Sequence, residues 1–130
     1  MATYAYFFTR QDISPEQQIV QTAHAALQLG INSQRITKTE WNETREQTPM
    51  PHVLPDLIKA EETHFTVVGV RNLEALDAVS AILTKFGYRY EMFFEPDLNK
   101  GEPTSIAVYP IADTARGPLL AFNLLTVSRR

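Results

Sequence analysis

At 130 residues, with 44% hydrophobic and 21% charged side chains, the chain has the makeup of one folded domain able to bury its own core, which excludes the disordered and collagen-like classes. Twelve basic against fifteen acidic residues give a formal net charge of -3, so no global attraction draws it to nucleic acid or to an anionic membrane. It contains no cysteine, which rules out disulfides, thiolate metal sites and a cysteine nucleophile.

The opening MATYAYFFTR lacks a basic region and a long apolar run, so it reads as a strand rather than a secretion signal. No stretch approaches the ~20 apolar residues that span a bilayer. The expected setting is the cytoplasm, with no membrane partner, and residues 1–130 are expected to form a single domain without linkers or repeats.

Tyr4 to Thr9 (YAYFFT) is aromatic and free of glycine and proline, which predicts a buried strand closed by Arg10. Ser14 then offers an N-cap, Pro15 suits the first helical position and Gln17 completes a Ser-x-x-Gln capping box, while Gly30 stands where a left-handed terminal residue belongs. These signals predict a helix from Ser14 to Gly30. Residues 32–50 show no sustained period and carry the only tryptophan, Trp41; they read as an irregular excursion with room for one short helical turn. Leu54 to Glu62, with Pro55 near its start and Leu57, Ile58 and Ala60 on one side, predicts a short helix packed on the sheet.

His64 to Val70 (HFTVVGV) is nearly continuous in apolar and β-branched residues, as in a central strand covered on both faces. Arg71 closes it. Asn72 caps a helix in which Leu73, Leu76, Val79, Leu83 and Phe86 recur at helical spacing before Gly87 ends it. Tyr88 to Glu95 and Thr104 to Ile111 read as third and fourth strands, antiparallel neighbours across an eight-residue link. The C-terminal piece is apolar at Leu119, Leu120, Phe122, Leu124 and Leu125, and both helix and strand fit it. The order of elements predicts a three-layer α/β sandwich around a mixed sheet of about four strands.

Two stretches, TRQDISPEQQIVQTAHAA and the later GEPTSIAVYP, together resemble the type II peptidyl-tRNA hydrolases of archaea and eukaryotes. That family carries an Arg-x-Asp after its first strand, a helix reading Gly-Lys-x-Ala-Ala-Gln-x-x-His-Ala, and a late Gly-Thr-x-Thr-x-x-Ala-x-x-Pro strand. Arg10 and Asp12 match the first element, Gln21, His24 and Ala25 the second, and Gly101, Thr104, Ala107 and Pro110 the third. The resemblance implies a peptidyl-tRNA hydrolase II-like fold, a tRNA or nucleotide-like anion as partner, and His24 and Thr104 in the site. The departures fall on the chemistry. The family's helix lysine, implicated in catalysis, aligns with Gln17, and its catalytic aspartate aligns with Glu95 or Asp97 in a shorter loop.

Splitting a peptidyl-tRNA ester needs a positioned water, stabilisation of the oxyanion, and cations or amides near the phosphates. Glutamine keeps the hydrogen-bond donors of such a site but not its charge. The leading expectation is therefore an altered site that binds a phosphate-bearing or RNA-related ligand without the family reaction. The alternative is an active peptidyl-tRNA hydrolase using His24, Gln17, Thr104 and Glu95 or Asp97. A third reading is a homo-oligomeric or partner-binding protein that uses Trp41 and the apolar C-terminus.

Gln17, Gln21, His24 and Gln28 lie along one side of the first helix, beside an apolar side made by Ile19, Ala23 and Leu27. This stripe reads either as a solvated polar edge or as a neutral hydrogen-bonding wall for a ligand. Separately, Arg10 and Arg71 close two strands next to the capped helix starts at Ser14 and Asn72, a rim suited to anions, with Lys100, Gly101 and Asp12 beside it. The simpler reading pairs each arginine with a nearby acid such as Asp12 or Glu74. His24, His52 and His64 show no ligand spacing, and no metal or cofactor is expected.

Overall fold

The computed structural model describes residues 2–36, 39–41, 43, 52–54, 57–96 and 101–122. Strand β1 (Thr3–Arg10) divides the core by its two-residue alternation. Tyr6 and Phe8 turn to one side, where they join Val68, Val70, Leu76, Val79, Leu83, Ile106 and Val108. Ala5 and Phe7 turn to the other, against Ala25, Leu29, Trp41, Ala107 and Tyr109. The first cluster is closed by helix α2 (Leu73–Lys85) and the second by helix α1 (Pro15–Arg35), so the sheet lies between two helical layers.

The sheet is mixed and open, with β1 paired in parallel to β2 (Thr63–Val70) and antiparallel to β4 (Pro103–Val108), which pairs with β3 (Tyr90–Phe94). The order is β2-β1-β4-β3, and a fifth strand, β5 (Ile111–Ala112), pairs with the start of β1. Between β3 and β4 the register slips, so that Phe93 faces Ser105 while Phe94 faces Pro103. Thr104 is the extra residue of a bulge, and the local twist it imposes re-aims side chains at the strand's start.

Both helices begin as their caps dictate. Ser14 Oγ accepts from the Gln17 backbone N–H at 3.2 Å, and Asn72 Oδ1 accepts from Ala75 N–H at 3.0 Å. Gly87 comes after α2 at φ 77°, a left-handed position that suits glycine.

Five expectations are corrected. Gly30 does not end α1, which runs on to Arg35; a glycine costs a helix about 1 kcal/mol without stopping it, and the next residues hold neither proline nor a turn signal. Residues 32–35 are therefore helical rather than irregular. Leu54 to Glu62 is no continuous helix among its described residues, which exclude Pro55 and Asp56: Leu57, whose backbone N–H donates to Leu54 O at 2.9 Å, and Ala60–Glu62 lie in 3-10 turns separated by non-helical Ile58 and Lys59, and Leu57 is exposed. Thr63 Oγ1 donates to Lys59 O at 2.8 Å and draws the segment straight into β2.

Among the described residues strand β2 is an edge strand rather than a central one, and Phe65 is 66% exposed. Its β-branched run reflects parallel pairing with β1, not cover on both faces. Trp41, which the third reading placed at an interface, is instead buried at 2% exposure against Tyr109 and beneath the Arg89 guanidinium. At the C-terminus, Leu119 is buried on a 3-10 turn, whereas Leu124 and Leu125 lie outside the described residues.

Candidate functional site

The polar stripe of α1 faces the sheet. Gln21 is 1% exposed and Thr104 fully buried, and the bulge at Thr104 lets its hydroxyl donate to Gln21 Oε1 at 2.7 Å. Gln21 Nε2 in turn donates to Gln17 Oε1 at 3.3 Å. Each group in this relay passes on a hydrogen bond, and the relay ends at Gln17 Nε2, which has no hydrogen-bond partner among the described residues. The expected capping box is thus half formed. Ser14 caps α1, but the Gln17 side chain is drawn inward to Gln21 instead of back to Ser14.

A second buried network lies alongside. Thr22 donates to the Gln18 carbonyl at 2.7 Å, which fixes its one proton and leaves its oxygen to accept from Thr9 at 2.6 Å. Thr9 Oγ1 is 2.9 Å from Ser105 Oγ, whose proton is shared with the Phe8 carbonyl at 3.1 Å. Further along, Gln28 Nε2 donates to Met92 O at 3.2 Å. Side chains from α1, β1 and β4 thereby satisfy one another in the core, as buried polar groups must.

His24 sits at the outer edge of this face. Its Nδ1 lies 3.6 Å from Glu95 Oε2, and its ring meets Phe93 edge-on at 5.0 Å between centroids. Glu95 is largely shielded while His24 is about half exposed, so a carboxylate orients an imidazole that remains open to solvent. Beside it, His24, Leu27, Gln28, Ile31, Asn32 and Phe93 line a shallow groove of about 290 Å³. Gln17 and His24 are seven residues apart, about 10 Å of rise along the helix axis, and they meet different partners, Gln21 and Glu95.

At the carboxyl end of β1, Arg10 spends four of its five guanidinium donors within the chain. Nε and Nη2 grip Asp12 at 2.9 and 2.7 Å, and Nη1 donates to Glu102 Oε2 at 2.8 Å and Pro103 O at 3.3 Å. Arg10 is 5% exposed. The hydrogen bonds Arg10 donates to Asp12, and then that to Glu102, outweigh the burial penalty and raise the guanidinium pKa further, while the grip of Arg10 lowers that of Asp12. Glu102 and Pro103 lie on the β4 side of β1, away from β2. Arg71 is exposed beyond the end of β2, at a groove with Ala75, Val79 and Ile82 of α2. Only one Nη2–H of Arg10 is left over, so an anion seeking a bidentate grip on Arg10 would have to displace Asp12 or Glu102. Gly101, at φ 79°, turns the chain into Glu102 and β4. Asp97 and Lys100 lie outside the described residues.

The structure thus brings Gln17, Gln21 and Thr104 together, sets His24 with Glu95, and gathers Arg10 with Asp12. The sequence reading missed Glu102, the Thr9–Thr22–Ser105 hydroxyls and the Phe93 wall; all depend on contacts between distant segments, and only the period of α1 hinted at Thr22. It read His52 only as lacking metal-ligand spacing. That ring is buried, accepts from Arg89 N–H through Nε2 at 2.7 Å and bonds Tyr109 O through Nδ1 at 3.1 Å. Both bonds require the neutral Nδ1–H form, and burial pushes its pKa down to about 4. Among the described residues no cluster of His, Asp or Glu is arranged to hold a metal ion, and no helix is long and apolar enough to cross a membrane.

No protein-family model matches the chain, and no curated protein matches it.

Proposed function

We propose that this domain binds an RNA-related ligand rich in hydrogen-bond acceptors through neutral donors on α1, and does not hydrolyse an ester at an appreciable rate. The carrying observation is the Thr104–Gln21–Gln17 relay, which delivers an amide donor, not a cation, to the first turn of α1. On the resemblance to the type II peptidyl-tRNA hydrolases, that position belongs to a lysine implicated in catalysis. Arg10, the buried cation among the described residues, is enclosed by two carboxylates, so the contacts on offer suit carbonyl, ribose and base acceptors more than bare phosphate.

A second reading is an active peptidyl-tRNA hydrolase in which His24, oriented by Glu95, activates water. The 3.6 Å His24–Glu95 approach supports it. Against it stands the placement of Gln17 and His24 two helical turns apart on α1, with Gln17 bonded to Gln21 and His24 set against Glu95.

Equilibrium titration with uncharged tRNA and with nucleotides tests the leading reading. Gln17→Ala should weaken binding between about twofold and tenfold, as expected for one uncharged hydrogen bond. Gln17→Lys should create or raise hydrolysis of peptidyl-tRNA. Unchanged affinity in Gln17→Ala rejects the assigned donor.

A further inference from the structure

Helix α1 is amphipathic in reverse. Its buried side is Gln21, Ala25 and Leu29, whereas Ile19, Val20, Leu27 and Ile31 are 70%, 40%, 64% and 45% exposed, with Ala23 exposed between them. Ile19, Ala23, Leu27 and Ile31 recur every fourth residue and so form a continuous ridge of the kind that packs into the grooves of another helix. Isolated surface leucines are ordinary, but a contiguous apolar strip marks an interface. We propose that this ridge is a two-fold interface that receives α1 of a second copy of this chain, running antiparallel.

Self-complementarity selects that occupant. Turning the helix end for end about its middle sets Ile19 opposite the partner's Ile31, and Ala23 opposite the partner's Leu27, so that the small residue leaves room for the large one. The charges obey the same symmetry. Glu16 lies one turn before the ridge and Arg35 one turn after it; both are exposed, and neither forms an ion pair with another described residue. Antiparallel copies place each Glu16 beside the partner's Arg35, while parallel copies would place like charges together. The interface is separate from the inward-facing relay, so it stands or falls independently of the ligand-binding proposal.

Sedimentation of the full chain over roughly 1–500 μM should show reversible dimerisation, since a single helix pair falls below the size of tight interfaces. Leu27→Glu should raise the dimer dissociation constant about a hundredfold or more, because two-fold symmetry places the change in the contact twice. Circular dichroism should leave its fold unchanged, since Leu27 is exposed. Glu16→Lys and Arg35→Glu should each weaken association, and the two together should restore it. A monomer at every concentration, whether its ridge is bare or covered by its own chain, overturns the proposal. So does a dimer indifferent to Leu27→Glu, and failure of the double reversal to restore association overturns the antiparallel arrangement.

Discussion

Thr104 donates its only proton to Gln21 Oε1 at 2.7 Å with neither group open to water. Thr104→Val keeps the side-chain shape and removes the donor, leaving a buried amide oxygen unpaired; it should destabilise the fold by about 1–3 kcal/mol. Adding Gln21→Met removes the orphan as well, and the pair should recover much of that loss in a double-mutant cycle read by chemical denaturation. Strictly additive losses contradict the relay. The sequence motif named both residues, and spacing alone put Gln17, Gln21, His24 and Gln28 on one helical face. What spacing could not show was which way that face turned, because Gln21 meets its partner across 83 residues of chain. The same limit hid Glu102, which neutralises Arg10 from 92 residues away.

Local chemistry decided the starts of both helices and the end of α2, so Ser14, Pro15, Asn72 and Gly87 were legible as punctuation. Gly30 was not, because a glycine is a permissive residue whose effect depends on its C-terminal neighbours. The apolar side of α1 was read correctly as apolar, but the usual rule that it points inward fails, since Thr9, Ser105 and Thr104 present a polar surface to the helix. In the connection back to the sheet, His52 carries its own consequence. Unfolded histidine takes up its proton near pH 6.5, whereas His52 in the fold does so only near pH 4. Between those values the unfolded chain holds more protons, so stability should decline as pH falls from about 6.5 to 4, by on the order of 3 kcal/mol. His52→Gln should flatten that part of the profile in denaturation curves measured across pH, and an unchanged slope would show that folding does not depress the His52 pKa.

For the molecule as a whole, the alternation of capped helices with apolar runs was enough to imply helices on both faces of a mixed sheet. It did not fix strand position, because a β-branched run looks the same at an edge as at a centre, and β2 proved to be the edge. It also could not count β5, two residues long. The arrangement gathers its neutral donors on the inward face and rim of α1, encloses Arg10 between carboxylates, and keeps His24 with Glu95 some turns away. The proposal of binding without cleavage rests on that layout. The most direct test is a single-turnover measurement with peptidyl-tRNA labelled on the peptide, at protein concentrations that saturate binding. Retained, saturable complex with the ester intact at its spontaneous rate is the expected result; rapid release of the peptide, abolished by His24→Ala, would contradict it.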